Sequence, residues 1–422
     1  LSKLIKHTPK TLTLHRASVQ AFSSAEKEVG SFPSSFSSLT FKGNLYTWGL
    51  QVPGLGYQSP FVSDLIYLPK KVDSFNNNVK KVVAGPNHTA LSQVHTFEFV
   101  HPFIKNGLAE GDLYTFGVGR GLGHGEGYSI SYLPKRVDYF KNSGLKVKDV
   151  AVGANHTIAL QVEFIHKLKG VNRVCLDNDE VWSWGSGAGD TNFVISILFG
   201  CNHAIYKDIS EFATTGALGH ANNANRGVPT VITNLRGKGP FKQVTSGYQF
   251  AFALTGIACL LSPPLQFSSE KGELYHWGKS KHGVLGDGKY HDVATPVLNE
   301  YFAQLRDHDH VHIVKIRSSA YHSVAQLCKF YRLKTCCILT DDKANGKLVS
   351  WGADFYGQLG VNRDISKVLY IILALNASYK DTEYIEEIAI PHEVVDTEYH
   401  GKKILDFQVS EDLLLILTGK CR

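Results

Sequence analysis

The chain has 422 residues, of which 43% are hydrophobic, 11% aromatic and 19% charged, a balance that excludes a disordered protein and supplies ample core material. Its 44 Lys and Arg against 38 Asp and Glu leave a formal charge of +6, too small an excess over this length to imply nucleic-acid binding by itself. The 39 glycines beside 19 tyrosines and 23 phenylalanines suit short strands joined by tight turns better than long helices.

The first 25 residues carry Lys3, Lys6, Lys10 and Arg16, and no acid occurs before Glu26. Basic, Ser-bearing and acid-free, this stretch has the composition of a mitochondrial transit peptide, with a basic tail as the alternative. Ser31–Ser38 reads as a linker, so residues 1–40 are expected to be leader and linker and residues 41–422 the folded unit. The apolar runs Phe193–Phe199, Ile257–Leu261 and Val368–Leu375 are far shorter than a membrane-spanning helix. The 7 cysteines show no pair of CxxC motifs and no framework spacing, which argues for a reducing compartment and against a zinc ribbon or disulfide scaffold. There is no methionine, even at position 1, so the chain ends weigh less in this reading than the middle.

One phrase recurs down the chain: Gly43–Gly49 (GNLYTWG), Gly111–Gly117, Asp179–Gly185, Gly272–Gly278 and Gly346–Gly352. The aromatic positions 48, 116, 184, 277 and 351 stand 68, 68, 93 and 74 residues apart. Each phrase leads to a glycine-rich turn: Gly54–Gly56, Gly121–His124, Gly216–His220, Gly283–Gly286 and Gly357–Gly360. A Pro-led strand follows at Pro69, Pro134, Pro229, Pro296 and Pro391. The unit closes with Val82–Leu91 and Val150–Leu160, and with weaker copies at Val244–Ala251, Ile316–Ser323 and Gln408–Leu414. Such units predict small antiparallel sheets that cannot cover both of their faces alone. Radial stacking solves that problem, so the expected class is all-β and the architecture a β-propeller.

These residues closely resemble the RCC1 repeat family, named for the regulator of chromosome condensation, whose repeats read G-x-L/V-Y-x-W-G, then G-x-L-G, P-x-x-V and A-x-G-x-x-H-T/S. The resemblance covers about residues 40–422, and the basic leader points toward mitochondrial members. It implies a seven-bladed propeller, whereas five clear repeats are present here. Segments Val94–Glu110, Val162–Val174, Thr191–Thr215, Gly256–Ser269, Cys328–Ala344 and Ser366–Ile388 interrupt the pattern. They read as blade-edge loops or as translated intron sequence.

The most regular polar residues are His88, His156 and His322, with Asn87, Asn155 and Gln249 adjoining the repeat's histidine position. Their expected role is structural, each imidazole bonding nearby backbone. The resemblance implies a second one, on the face that contacts a small GTPase. Phe250 and Leu413 stand where two repeats would have His, so no complete ring of imidazoles is expected. If extended, residues 307–312 would put His308, His310 and His312 on one side, a weak metal candidate that lacks a fourth ligand. Gly119–Gly123 recurs in form as a blade turn, and neither a phosphate-binding Gly-Lys-Ser/Thr loop nor a G-x-S-x-G elbow occurs.

The expected protein is therefore a monomeric, non-catalytic interaction platform without cofactor or membrane span. The resemblance implies a protein partner, either a small GTPase or a mitochondrial assembly such as the ribosome. Three alternatives stand beside it: a nuclear or cytoplasmic guanine-nucleotide exchange factor for a Ran-like GTPase, a chromatin- or RNA-binding propeller, and an interaction domain of a larger protein such as a ubiquitin ligase.

Overall fold

Alternating apolar and polar residues, broken by Gly and Pro every few positions, leave strands too short for anything but small sheets. The computed structural model describes residues 18–22, 44–50, 55–56, 65–75, 79–85, 88–93, 95–97, 107–109, 111–125, 127, 129–162, 180–187, 216–256, 272–333, 336–339, 347–354, 358–361, 387–394, 403–409 and 414–419. The first sheet has three strands, β1 (Ser18–Phe22), β2 (Asn44–Leu50) and β3 (Leu65–Lys71). The second runs in the order β4 (Val79–Ala84), β5 (His88–Gln93), β8 (Leu113–Gly119), β9 (Ser129–Arg136), with β6 (His95–Phe97) and β7 (Gly107–Ala109) as a ribbon between β5 and β8 in the chain. The third comprises β10 (Lys146–Val152), β11 (His156–Val162), β12 (Val181–Gly185) and β13 (Arg226–Val231).

The fourth holds β14 (Phe241–Ser246), β15 (Phe250–Thr255), β16 (Leu274–Gly278) and β17 (Val293–Leu298). In the fifth, β18 (Val311–Ser318), β19 (His322–Leu333), β21 (Lys347–Ala353) and β22 (Glu387–Glu393) are joined by β20 (Cys336–Leu339) on the far end of β19. A last pair, β23 (Lys403–Val409) and β24 (Leu414–Gly419), closes the order. Every pairing is antiparallel between neighbours. The innermost strands β4, β10, β14, β18 and β23 pack against one another in succession. This is the expected β-propeller. Among the described residues it has four full blades flanked by two partial sheets.

The apolar mass lies between blades. Leu45, Val72 and Phe75 of the first sheet meet Val79, Leu91 and Phe116 of the second. Four further clusters join the second sheet to the third, the third to the fourth, the fourth to the fifth and the fifth to the last pair. Each fully buried Leu, Phe or Val in them contributes roughly 1.5–3 kcal/mol. Two recurring devices join the blades as well. The recurrent tryptophans reach back to the preceding blade's glycine-rich turn: Trp184 Nε1 donates to Gly121 O (2.8 Å), Trp277 to Ala217 O (3.1 Å) and Trp351 to Val284 O (2.8 Å). The turn's last glycine holds a positive φ (Gly286, +68°), and a Cβ there would stand 2.6 Å from Trp351 Nε1.

The second device is a β-bulge near the start of every inner strand, after which come Lys81, Asp149, Gln243, Lys315 and Asp406. These polar residues link blade to blade. Lys81 bonds Asp149, which accepts from Val244 N (3.0 Å); Gln243 Nε2 donates to Ile316 O (2.5 Å); Lys315 bonds Asp406.

Three features depart from the sequence reading. Helices α1 (Asp138–Asn142) and α2 (Glu300–Asp309) connect blades, the second capped by Asn299, whose side chain accepts from Phe302 N (3.3 Å). β1 falls within residues 1–40 and pairs with β2, so a boundary at residue 41 would split a hydrogen-bonded strand pair. Two of the interrupting segments form strand pairs of their own, the β6–β7 ribbon and the β19–β20 hairpin, and two others overlap the ends of β11 and β22. Most of the other interrupting residues lie outside the described ones. No helix among the described residues is long and apolar enough to cross a membrane.

Candidate functional site

The inner strands β4, β10, β14 and β18 lead into the A-x-G-x-x-H turn or its variants with Phe250 or Ser319, so the propeller collects these turns at one mouth. Successive turns bond directly: Ala154 N donates to Tyr248 O and Tyr248 N to Ala320 O, both at 3.1 Å. Each turn is also tied to its own blade. Ser186 N donates to Asn155 O, Lys279 N to Gln249 O and Ala353 N to Tyr321 O, all at 2.9 Å. A Cβ on Gly185, Gly278 or Gly352 would lie 2.3–2.5 Å from those same turn backbones, which is why glycine follows the aromatic residue in each repeat.

The histidines sit beneath this mouth. His88 and His156 are each 1% exposed and His322 is fully buried. His156 lies flat over Gly153, where a Cβ would be 2.1 Å from the imidazole Cε1. Their partners correct the expected backbone bonds: they are hydroxyls, and for His88 and His156 these belong to the next blade. His88 Nε2 meets Thr157 Oγ1 at 2.7 Å, and Thr157 Oγ1 donates its proton to Gly121 O (2.8 Å). The imidazole must therefore be the donor, which fixes a neutral Nε2–H tautomer. His156 repeats the arrangement on Ser246 Oγ (2.8 Å), whose hydroxyl donates to Phe250 O (3.0 Å). His322 departs from it. Its Nδ1 meets Ser319 Oγ (3.0 Å), while its Nε2 has no hydrogen bond among the described residues. Burial pulls the pKa of His88 down to about 3, with His156 adding to the effect, and burial alone pulls His156 and His322 to about 4. All three are uncharged near neutral pH, and the bonded His88 and His156 act as latches between blades.

Of the adjoining amides, Asn155 is 7% and Gln249 5% exposed, and Gln249 Nε2 has no hydrogen bond among the described residues. Asn87 lies outside them. Sequence reasoning missed an aromatic patch at the same mouth. Tyr248 and Tyr321 stack with ring centroids 5.7 Å apart, and His282 meets Tyr321 edge-on at 5.9 Å. His282 Nδ1 also bonds Glu387 Oε1 (2.5 Å). The available signal was Tyr at the variable positions of two adjacent turns.

The trio proposed for a metal does not assemble. His308 lies in the last turn of α2, His310 is its left-handed C-cap (φ 55°), and His312 is on β18. The segment is helical because Asn299 and Glu300 start a helix that the local charge pattern supports. No group of three His, Cys, Asp or Glu able to hold a metal occurs among the described residues.

Comparison with known proteins agrees with this architecture. The regulator of chromosome condensation (RCC1) repeat matches residues 110–160, 212–254 and 271–326. The chain is similar to the human E3 ubiquitin-protein ligase HERC2, with 27% identity over 76% of this chain and 5% of HERC2. It is 24% identical to the Arabidopsis thaliana RCC1 domain-containing protein RUG3, mitochondrial, over 77% of this chain and 53% of RUG3. Identity to the ultraviolet-B receptor UVR8 of the same plant is also 24%, over 83% of this chain and 58% of UVR8. It therefore spans a small fraction of HERC2 and little more than half of RUG3 and UVR8. Among solved structures, human WBSCR16 matches with a TM-score of 0.52 and 16% identity, over 90% of this chain and 70% of that one. That likeness concerns the fold alone.

Proposed function

We propose that this β-propeller, which matches the RCC1 repeat over three stretches, is a non-catalytic platform that binds a protein partner at the mouth built from its A-x-G-x-x-H turns. The observation that carries this reading is the division of labour at the mouth. The histidines are buried and neutral and bond hydroxyls, while the half-buried Tyr248 and Tyr321 stack at the same turns and Tyr321 meets the buried His282, which bonds Glu387. Stacked tyrosines bring large, rigid contact area at low entropic cost, as interface anchors do. Regulation of a small GTPase fits such a surface, because an exchange factor works by binding one state of its partner more tightly and needs no nucleophile. A mitochondrial location belongs to the proposal, supported by the acid-free basic stretch before Glu26 and by the relative named as mitochondrial.

The test is affinity capture from mitochondria with the whole chain and with a Tyr248→Ala, Tyr321→Ala double variant. A partner retained by the first and lost by the second is the expected result. Equal capture by both proteins would overturn the placement of the interface. Nucleotide release from a captured GTPase, measured with and without the chain, then separates an exchange factor from an assembly platform.

A further inference from the structure

Four repeats place a hydroxyl at the residue before the recurrent aromatic, and each hydroxyl donates to the leucine carbonyl of its own glycine-rich turn. The bonds are Thr47 to Leu55 O, Thr115 to Leu122 O and Ser183 to Leu218 O, each 2.7 Å, and Ser350 to Leu359 O, 2.6 Å. The remaining repeat has His276. There the leucine carbonyl is served from elsewhere, by Asn299 Nδ2 to Leu285 O (3.0 Å), so His276 is released from the structural duty of its counterparts. The ring is 1% exposed, its Nδ1 makes no hydrogen bond among the described residues, and its Nε2 has no polar partner there closer than Asp287 Oδ2 at 3.5 Å. Leaving a polar atom of a buried side chain unmet is costly, and such a site calls for an occupant.

The turn changes with it. Two repeats put a histidine after the Leu-Gly of the turn, His124 and His220, and each pairs with the hydroxyl (3.0 and 2.9 Å). Here that position is Asp287, whose Oδ2 stands 3.5 Å from His276 Nε2. The imidazole and this carboxylate line a cavity of about 400 Å3 along β17, with Asp292, Glu300 and Lys289 also in its wall. Three carboxylates against one ammonium disfavour an anion. A metal ion is unsupported, since no three ligating groups converge among the described residues.

We propose that this cavity binds a guanidinium group, the side chain of an arginine presented by a peptide or protein. A planar fork of N–H donors can reach the Asp287 carboxylate and an imidazole nitrogen of His276 together, which a single ammonium point charge does less well. Val297 of β17 supplies apolar wall for the methylene stem.

The experiment uses the full chain and N-acetyl-arginine amide, with binding read from the ligand by saturation-transfer NMR. The controls are the uncharged N-acetyl-citrulline amide and two variants. His276→Thr restores the residue type of the sister repeats and is expected to fold, as a cooperative thermal transition will show; Asp287→Asn keeps the shape and removes the charge. Saturable binding of the arginine amide, weakened about tenfold or more by either variant and by the citrulline exchange, is the expected result. Equal binding of citrulline, equal binding by a folded His276→Thr protein, or no saturable signal overturns the proposal. The Tyr248→Ala, Tyr321→Ala protein should bind the arginine amide normally, so this test and that of the mouth interface fail separately.

Discussion

Acid should loosen this protein through its inter-blade histidines, and His156→Phe isolates one of them. An imidazole whose pKa falls from 6.5 to about 4 on folding binds its proton more readily in the unfolded chain. Its contribution to stability is therefore complete above about pH 6.5 and is lost as pH falls toward about 4. At about pH 4.5 the loss from His156 alone comes to roughly 2–3 kcal/mol. Phenylalanine fits the site, because the next repeat has Phe250 over Gly247 just as His156 lies over Gly153. Ser246 keeps its own acceptor, Phe250 O, so the variant strands no donor. Near neutral pH it should cost about 0.5–1.5 kcal/mol, one hydrogen bond. At about pH 4.5 the order should reverse, the variant becoming the more stable protein. Urea unfolding followed by tryptophan fluorescence at both pH values measures the difference. Parallel pH dependence in the two proteins would refute the linkage argument.

Trp351→Phe removes the indole donor to Val284 O and should cost about 1–3 kcal/mol in the same assay. Gly286→Ala forces a side chain into a positive-φ site 2.6 Å from the Trp351 indole nitrogen, and a loss above about 2 kcal/mol is expected. Lys81→Met should cost about 1–3 kcal/mol, because its partner Asp149 is nearly buried at 11% side-chain exposure. Lys315→Met should cost at most about 1 kcal/mol, since Asp406 is 40% exposed, and its effect should shrink in high salt.

The blades were legible because their determinants are local. An aromatic-glycine pair, a Leu-Gly turn and a Pro-led strand recur within about 50 residues of one another in each copy, and each carries a conformational demand that sequence displays directly. What binds one blade to the next was not legible. Lys81 and Asp149 lie 68 residues apart, and Gln243 and Ile316 73 apart. The residue after the inner-strand bulge runs Lys, Asp, Gln, Lys, Asp along the chain, so no single residue type marks the position. The histidines stood out by their spacing, but their hydroxyl partners sit for the most part on the neighbouring sheet, beyond what spacing can reveal. His276 was passed over because it occupies a regular position in a regular repeat; its meaning emerges when four counterparts are seen to do something else. The helix over residues 300–309 was missed because its apolar face is narrow: Phe302 is its one buried residue.

Since every hydrophobic seam belongs to two adjacent sheets, damage has a short reach. A void opened beside Phe241 slackens the sheets on either side of it and leaves the seam around Phe407 as tight as before. Hydrogen exchange should accordingly show no single global opening, but a profile graded along the stack, fastest in the two incomplete sheets and slowest where a blade has a full neighbour on each side.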